Sequence, residues 1–494
     1  MSEKQLSDIV HNDSTPLSVD PKEEKRLVRK LDARILPIIC LLYLFAFLDR
    51  GNLGNARLQG LPQDTLGGDP TGHLFDWVNS IFFMSYILSQ IPLGIVFKLF
   101  HPPLWMACIA LGWGISSTLM STAFNFGGLI TARLFLGIFE AGLGPVIPLY
   151  LSLFYTKDEL GTRVASYFGF AAVSGAFGGL IAFGIQHAHA AIANWRLLFI
   201  IEGVPAVIMG VIALLFLPKR PESTTFLNDR ERVVALARMN RGTSSDTGTT
   251  VDKAHVLMAF RDWRIYAGGV IYFGLNCALA SISAFLPTIL KTFGFTNANA
   301  QLLTVPPYAV AAVVMLTCSF TSDRLQSRGI FMALSSCISG IGFVLLLAVE
   351  NVHVRYFSVF CIVAGTYASL GVMLAWFSHN LGSESKRAAG TPAYMAIGQC
   401  GSVLGSHIFP STEGPRYMRG FGICCALAFL AALLTIVLSI SYRMENKRRD
   451  EVYGKSDVRQ RVDVSRLADK VGFRYICIRI LMPSVQAPEF RYIP

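Results

Sequence analysis

The chain has 494 residues, of which 53% are hydrophobic and only 15% are charged, and it carries a net charge of +11 at pH 7. With a mean hydropathy of +0.49, this composition excludes a water-soluble globular protein and predicts an integral membrane protein. The positive charge could suggest nucleic-acid binding, but the basic residues fall in predicted cytosolic loops, where membrane topology explains them. Nine of the ten cysteines lie in apolar runs without CxxC spacing, so we expect no metal site and no cofactor.

Apolar runs of about 20 residues, the length that crosses about 30 Å of hydrocarbon as a helix, recur along the whole chain. Because backbone polar groups in lipid must be satisfied within the segment, these runs predict α-helices. Twelve spans are predicted, at 37–58, 75–99, 104–124, 127–153, 164–187, 196–217, 265–290, 303–321, 330–349, 355–380, 389–409 and 421–442.

Basic residues alternate between the predicted loops and so indicate the orientation of the chain. The residues before the first span include Lys22, Lys25, Arg26, Arg29, Lys30 and Arg34, and the tail after the last span is basic from Arg443. By the positive-inside rule, both termini face the cytosol, which requires an even number of spans. The first thirty residues show no secretory signal, so we expect the first helix to serve as the insertion signal.

A polar stretch in the middle divides the spans into two sets of six. The predicted organisation is a cytosolic tail at 1–34, a six-helix half at 35–217, a cytosolic linker at 218–264, a second six-helix half at 265–443 and a cytosolic tail at 444–494. Short amphipathic helices from Phe226 and Val251 flank the linker centre GTSSDTGTT. The predicted fold is an all-α membrane protein with two similar halves, the layout of transporters that rock about a midplane site.

Two charged residues, Asp49 and Arg50, lie within the first predicted helix. The apolar run from Leu36 to Leu48 is too short to span the bilayer at about 1.5 Å per residue, so the helix must continue through both. Charged side chains inside the membrane usually mark a binding site or a proton pathway. The alternative is that Asp49 and Arg50 cap the helix at the outer surface.

The fourth predicted helix carries a second pair, Arg133 and Glu140, seven residues apart on one face. Two helical turns, roughly 10 Å, separate them, so they cannot bond to each other. We expect each to meet a ligand or the charges of the first helix, with Gly137 between them permitting close approach. The alternative is a structural ion-pair network, which is compatible with coupling if the network opens when substrate or a proton binds.

The charges are confined to the first half, which also has Glu202 in its sixth helix. The chemistry of coupling is therefore expected there, while the second half offers neutral polar groups. Neutral candidates for substrate contact, each of which could instead serve packing, are Tyr43, Tyr86, Gln90, Tyr272, Asn276, Tyr367, Trp376, Asn380 and Gln399.

The turn SDRLQSR at the cytosolic end of the eighth helix contains Asp323, Arg324 and Arg328. These side chains can bond to neighbouring helix ends in one conformation and release them in another, which is typical of a gate. The turn could equally be a positive-inside anchor.

From about residue 25 to 450 the chain resembles the major facilitator superfamily. Within it, LDRGNLGNAR in the first helix, ARLFLGIFEAGLGP in the fourth, WRLLFIIEGVP in the sixth and LLTVPPYAVAAV in the eighth resemble the anion:cation symporters, especially the fungal allantoate-permease branch. The turn after the second helix departs from the superfamily, since it lacks the usual acid. After about Lys470 the tail has no counterpart in the family, which favours an erroneous gene model over an added amphipathic tail.

The resemblance implies proton-driven import of a small organic anion, such as allantoate or a vitamin acid, by a monomer in the plasma membrane. It implies that Arg50 and Arg133 contact the anion and that Asp49 and Glu140 carry protons. Substrate identity, the direction of transport and the choice of plasma or vacuolar membrane are beyond the sequence.

Other functions remain as alternatives. Export of an acidic fungal metabolite is open, whereas a drug:proton antiporter would be expected to have a Gly-Pro motif in its fifth helix, where AVSGAFGG has none. A sugar porter would have a longer signature after the sixth helix, and a nutrient sensor would carry a signalling domain. No phosphate loop, metal cluster or nucleophile triad suggests an enzyme.

Overall fold

A computed structural model describes residues 20–97, 100–144, 146–188, 190–242, 253–381 and 384–453. The described residues form helices and the turns that join them, without a β-strand. The linker centre from residue 243 to 252 and the tail beyond residue 453, including the unfamiliar segment after Lys470, lie outside the described residues.

The described residues before the linker form eight helices. They are α1 (Pro21–Leu58), α2 (Leu61–Thr65), α3 (His73–Val96), α4 (Pro102–Met120), α5 (Phe126–Glu140), α6 (Val146–Leu151), α7 (Lys157–Gln186) and α8 (Asn194–Phe216). Polar caps begin several of them: the Asn125 side chain accepts a hydrogen bond from the Gly128 N–H at 2.9 Å, and Thr156 with Glu159 forms a capping box.

From the linker onward, the described residues form nine further helices. They are α9 (Asp229–Gly242), α10 (Lys253–Arg261), α11 (Trp263–Lys291), α12 (Asn297–Leu302), α13 (Val305–Leu325), α14 (Arg328–Ala348), α15 (Val352–Asn380), α16 (Glu384–His407) and α17 (Met418–Tyr453). The two short helices expected beside the linker centre are present as α9 and α10, and one 3-10 turn, Ser411–Glu413, precedes α17.

Nine spans among the described residues are long and apolar enough to cross a membrane. The other three predicted spans correspond to α3, to α16, which is more polar, and to the pair α5 and α6, which are each too short to cross alone. Large apolar side chains remain exposed on the outside of the bundle, for example Leu88, Phe124, Leu215 and Val313. In water such a surface would be costly, whereas lipid solvates it.

The helices pair in the same way in each half. In the first half α1 packs on α7, α4 on α8 and α3 on α5; in the second half α11 packs on α16, α14 on α17 and α13 on α15. The pairs of the two halves correspond: α11 takes the place of α1, α13 of α3, α14 of α4, α15 of α5, α16 of α7 and α17 of α8. Across the halves, α3 packs on α16 and α7 on α13. The fold is therefore an internally repeated twelve-span bundle, while the exact domain boundaries stay a prediction.

The halves are closed on each other at the end of the bundle remote from Pro21 and Tyr453, which we call the distal end. Hydrogen bonds between the halves there run from Asn297 Nδ2 to the Leu58 oxygen at 3.0 Å and from Arg57 to Ser411 Oγ at 2.8 Å. Asn79 Nδ2 also donates to Ser406 Oγ at 2.9 Å. This conformation is closed at the distal end.

Backbones of the two halves meet at Gly54 of α1. A Cβ placed there would lie 2.6 Å from the Ala284 backbone oxygen and 2.8 Å from that of Ser283, both in α11. Only glycine permits so close an approach of two helix backbones.

Two helices do not coincide with the predicted membrane spans. The first helix begins at Pro21, well before the predicted start at 37, because Asp20 caps it and its polar first turns bind α9 through the Lys30–Glu231 ion pair. The fourth span, predicted to be continuous from 127 to 153, breaks after Glu140 into a turn before α6. The break falls at residues 141–144, where two glycines disfavour a helix.

Candidate functional site

The charged residues of α1 and α5 meet in the interior of the first half. Arg50 forms an ion pair with Glu140, and the Arg50 Nε donates to Glu140 Oε1 at 3.0 Å. The side chain of Glu140 is 2% exposed and that of Arg50 is 13% exposed, so the pair is largely removed from solvent. The sequence alternative in which Arg50 caps a helix at the surface does not fit this contact.

Aromatic rings surround the Arg50 guanidinium. Its carbon lies 4.5 Å from the ring centroid of Phe47, 5.3 Å from that of Phe82 and 5.2 Å from that of Tyr86. Such rings stabilise a cation while excluding water. They hold the guanidinium in one place between Glu140 and the centre of the bundle.

Arg133 is fully buried and binds neutral oxygens of α1. One terminal nitrogen donates to the backbone oxygen of Asp49 at 3.3 Å, and the other donates to Asn52 Oδ1 at 3.0 Å. The Asp49 carboxyl, also fully buried, accepts a hydrogen bond from Ser117 of α4. Arg133 therefore fixes α1 to α5.

Two residues of α5 contact α1 because their spacing places them on one face of the helix. Arg133 and Glu140, two turns apart, both face α1, and Gly137 between them contacts α3. A Cβ at Gly137 would lie 2.4 Å from the Phe82 backbone oxygen, so glycine brings α3 and α5 together. This contact also places Phe82 beside Arg50.

A third acid, Glu202 of α8, lies behind the same cluster and is 1% exposed. It is beside the Asn52 amide and close to Asp49 and Arg133. Neither oxygen of its carboxyl makes a hydrogen bond of ordinary length. The sequence placed Glu202 inside a span but gave it no role.

A small cavity lies between the halves, next to this cluster. The first half contributes Arg50, Asn52, Asn55 and other residues of α1 and α7, whereas α11, α13 and α15 form the opposite wall. The lining residues are Phe47, Leu48, Arg50, Gly51, Asn52, Asn55, Ser174, Gly175, Gly178, Ser283, Pro287, Thr304, Tyr308 and Tyr367. Of the four charged candidates, Arg50 is the one that lines the cavity.

Several neutral candidates of the first half lie near Arg50. Tyr86 is one of the rings around it, and Tyr43 packs edge-on against Tyr167 with 4.9 Å between ring centroids. Gln90, a turn beyond Tyr86, is partly buried. None of these three lines the cavity.

Of the neutral candidates of the second half, Tyr367 lines the cavity, whereas the others are dispersed. Asn276 and Gln399 are buried on α11 and α16, which pack on each other. Trp376 is fully buried against Phe377 and Tyr442, and Asn380 is buried one turn further along α15. None of the four lines the cavity, so their part in binding stays a prediction.

The candidate gate residues lie at the other end of the second half, at the turn between α13 and α14. Arg328 pairs with Asp323 at 2.6 Å and donates to the Ala375 backbone oxygen of α15 at 2.7 Å, whereas Arg324 is exposed. In this conformation the Arg328 contacts join helices of one half. A gating role for the turn stays a prediction.

The sequence did not identify most of the neutral cavity wall. Ser174, Ser283 and Tyr308 are ordinary residues of apolar helices, and Thr304 precedes one; only the helix pairing brings them together. The glycines of AVSGAFGG were the available signal, since a Cβ at Gly175 would lie 2.5 Å from the Tyr308 ring.

Comparison with known proteins agrees with this fold. Residues 39–406 match the Major Facilitator Superfamily. The chain is 33% identical to the major facilitator-type transporter hxnP of Emericella nidulans, over 97% of this chain and 95% of that protein. It is 30% identical to a high-affinity nicotinic acid transporter of Saccharomyces cerevisiae, over 89% of this chain and 82% of that protein.

Solved structures show the same architecture. A D-xylose-proton symporter superposes with a TM-score of 0.65 at 15% identity, over 81% of this chain and 96% of that one. A bacterial homologue of the lysosomal transporter Spinster superposes with a TM-score of 0.64 at 14% identity, over 87% and 99%. The repeated twelve-span bundle, its central cavity and these relatives together show that the chain belongs to the Major Facilitator Superfamily, a family of membrane transporters for small molecules.

Proposed function

We propose that the protein is a proton-coupled symporter of a small organic anion, in the anion:cation symporter family and its allantoate-permease branch. The observation that carries the proposal is the position of Arg50, whose guanidinium both lines the cavity and pairs with the buried carboxyl of Glu140. A guanidinium at the wall of a cavity attracts a carboxylate.

The Arg50–Glu140 pair links the two binding events by competition. A substrate carboxylate that binds Arg50 takes the place of Glu140, and the released Glu140 carboxylate is then buried without a counter-ion. Because an unpaired buried charge is costly, Glu140 takes up a proton when the anion binds. Anion and proton therefore enter together.

Asp49 and Arg133 support this exchange from behind the wall. Arg133 holds α1 against α5 through Asn52 and the backbone of Asp49, so any shift of α1 must alter its hydrogen bonds. Asp49, on the same turn as Arg50, is the second candidate proton carrier.

The lining of the cavity favours a small, flat monocarboxylate. Phe47, Tyr308 and Tyr367 offer ring faces, and Ser174, Ser283 and Thr304 offer hydroxyls for a second polar group of the substrate. The nicotinic acid transporter among the relatives makes an aromatic carboxylate the first substrate to test.

The basic loops support a protein with cytosolic termini, working as a monomer in the plasma membrane. With that orientation, the distal end faces outward and the conformation described here is closed to the outside.

Uptake of labelled nicotinate, allantoate and other carboxylates into cells expressing the chain tests the proposal, at acidic and neutral external pH, with and without a protonophore. We expect acid-stimulated uptake of one of them that the protonophore abolishes. Arg50→Ala should reduce it at least tenfold at unchanged surface expression, and Lys291→Ala, which removes an exposed cation of α11, should not.

Uptake that ignores both pH and the protonophore would remove the proton from the mechanism. Normal uptake by Arg50→Ala would remove the anion site. Lower retention of a preloaded carboxylate in expressing cells would favour export.

A further inference from the structure

The charged cluster of the first half contains more acids than bases. Three carboxyls, Asp49, Glu140 and Glu202, surround two guanidiniums, Arg50 and Arg133, and their side chains are buried or nearly so. If all five were ionised, the cluster would hold one unbalanced negative charge at membrane depth. Such a charge is expensive there, so one carboxyl must carry a proton.

The contacts of the three acids differ. Glu140 is paired with Arg50, and Asp49 accepts a hydrogen bond from Ser117. Both oxygens of Glu202 lack a hydrogen bond of ordinary length. A neutral acid tolerates such a site far better than a carboxylate does.

The surroundings of Glu202 contain few charges. Helix α1 presents Asp49 and the amides of Asn52 and Asn55, and α5 presents Arg133. Helix α4, which packs on α8, contains no acidic or basic residue. Helix α7 contains no Asp, Glu, Lys or Arg on the C-terminal side of Arg163. Arg133 is therefore the cation that can stabilise an ionised Glu202.

Arg133 is not committed to any carboxylate. Its two hydrogen bonds go to neutral oxygens, the backbone of Asp49 and the amide of Asn52. If α1 moves against α5, the guanidinium loses these acceptors and can turn to Glu202.

A route to water also exists. Asn52, Asn55 and Gly178 line the cavity, and Glu202 lies directly behind them, with its Oε1 4.0 Å from the Cβ position of Gly178. A proton leaving Glu202 has only this thin wall to cross.

We propose that Glu202 is a third proton-binding site, which is a neutral acid in this conformation and releases its proton to cavity water when Arg133 turns to it. In that step the carboxyl O–H bond breaks, its electron pair stays on oxygen, and water accepts the proton. The proposal deepens the proton-coupled transport proposed above and rests on it for the role of the released proton.

Infrared difference spectroscopy of the purified, substrate-free protein in lipid vesicles at neutral pH tests the proton directly. The wild type should show the carbonyl band of a protonated carboxyl, and Glu202→Gln should lose one carboxyl's share of it. The matched control Glu350→Gln, which changes an exposed acid, should keep the band. Because Gln mimics a neutral acid, Glu202→Gln should unfold at the wild-type temperature.

In the same vesicles, Glu202→Gln should exchange labelled nicotinate across the membrane but lose its proton-driven accumulation. An unchanged band in Glu202→Gln, or a variant that unfolds because Arg133 has lost a counter-ion, would overturn the proposal, as would accumulation at the wild-type level. The infrared measurement needs no substrate, so it distinguishes the two proposals. If Glu202→Gln loses the band but the wild type does not transport nicotinate, the proposed substrate is refuted and the protonated Glu202 stands.

Discussion

Replacing Gly54 by alanine should open the distal end of the bundle. The new Cβ would lie 2.6 Å from the Ala284 backbone oxygen, whereas ordinary contacts begin at 3.4 Å, so the helices must separate by about 0.8 Å. Both obstructing atoms belong to the α11 backbone, so no side chain can move aside. Overpacking of this kind costs about 1–3 kcal/mol.

Gly54→Ala destabilises only the conformation that is closed at the distal end. When the halves separate at the distal end, α1 leaves α11 and the alanine is accommodated. A difference of about 1–3 kcal/mol changes the ratio of the two conformations by about 5- to 150-fold. Gly54→Ala should therefore populate the conformation that is open at the distal end.

Thiol cross-linking measures this ratio. Cysteines replace Thr71 and Ser411, whose backbones are hydrogen-bonded across the halves at 3.2 Å, in a background whose native cysteines are serines. The cross-linking rate should fall at least fivefold in Gly54→Ala. The control Gly51→Ala lies one turn earlier, where a Cβ meets nothing within 4 Å, and should cross-link at the parent rate. Equal rates in the two variants would refute the close-approach argument.

Three further expectations concern the charges. Glu140→Gln should lose proton-driven accumulation of the substrate while counterflow exchange partly survives; unchanged accumulation would contradict its role as a proton carrier. Arg133→Lys keeps the charge but cannot reach both acceptors on α1, so uptake should fall at least tenfold with normal membrane insertion, as measured by surface labelling. Partial burial alone would raise the pKa of Glu231, but hydrogen bonds from Lys30 and the Asn228 backbone lower it overall. The Lys30–Glu231 pair should therefore hold α9 on α1 fully above the unfolded pKa of Glu, about 4.3, and this stabilisation is lost as the pH falls below it. Proteolysis of the linker should speed up in acid, and Glu231→Gln should abolish that pH dependence.

The fold was predictable because lipid imposes a simple length rule on apolar runs. The rule is weakest for α16, which packs on α3 between the halves and is more polar than the other spanning helices. The length rule also missed the break after Glu140, because the glycines that end α5 lie within a continuous apolar segment. Helix boundaries depend on caps and turns, which hydropathy does not record.

The candidate site was predictable in part for a related reason. Charges such as Arg50 and Glu140 are conspicuous inside apolar segments, and their meeting follows from two helices that each need a partner. Ser174 and Thr304 carry no such signal, because hydroxyl residues are common in membrane helices and bond to their own backbone. That they share a cavity depends on how α7 crosses α13, which no single segment specifies.

The two walls of the cavity differ in a way that bears on divergence within the family. The wall from α1 carries the ionic machinery, which tolerates little change, whereas α11, α13 and α15 present only rings, hydroxyls and a proline. Exchange of Ser283, Tyr308 or Tyr367 would alter the shape offered to a cargo without disturbing charge balance. Relatives with different cargoes should therefore vary first on that side, and re-targeting the carrier by engineering should begin there.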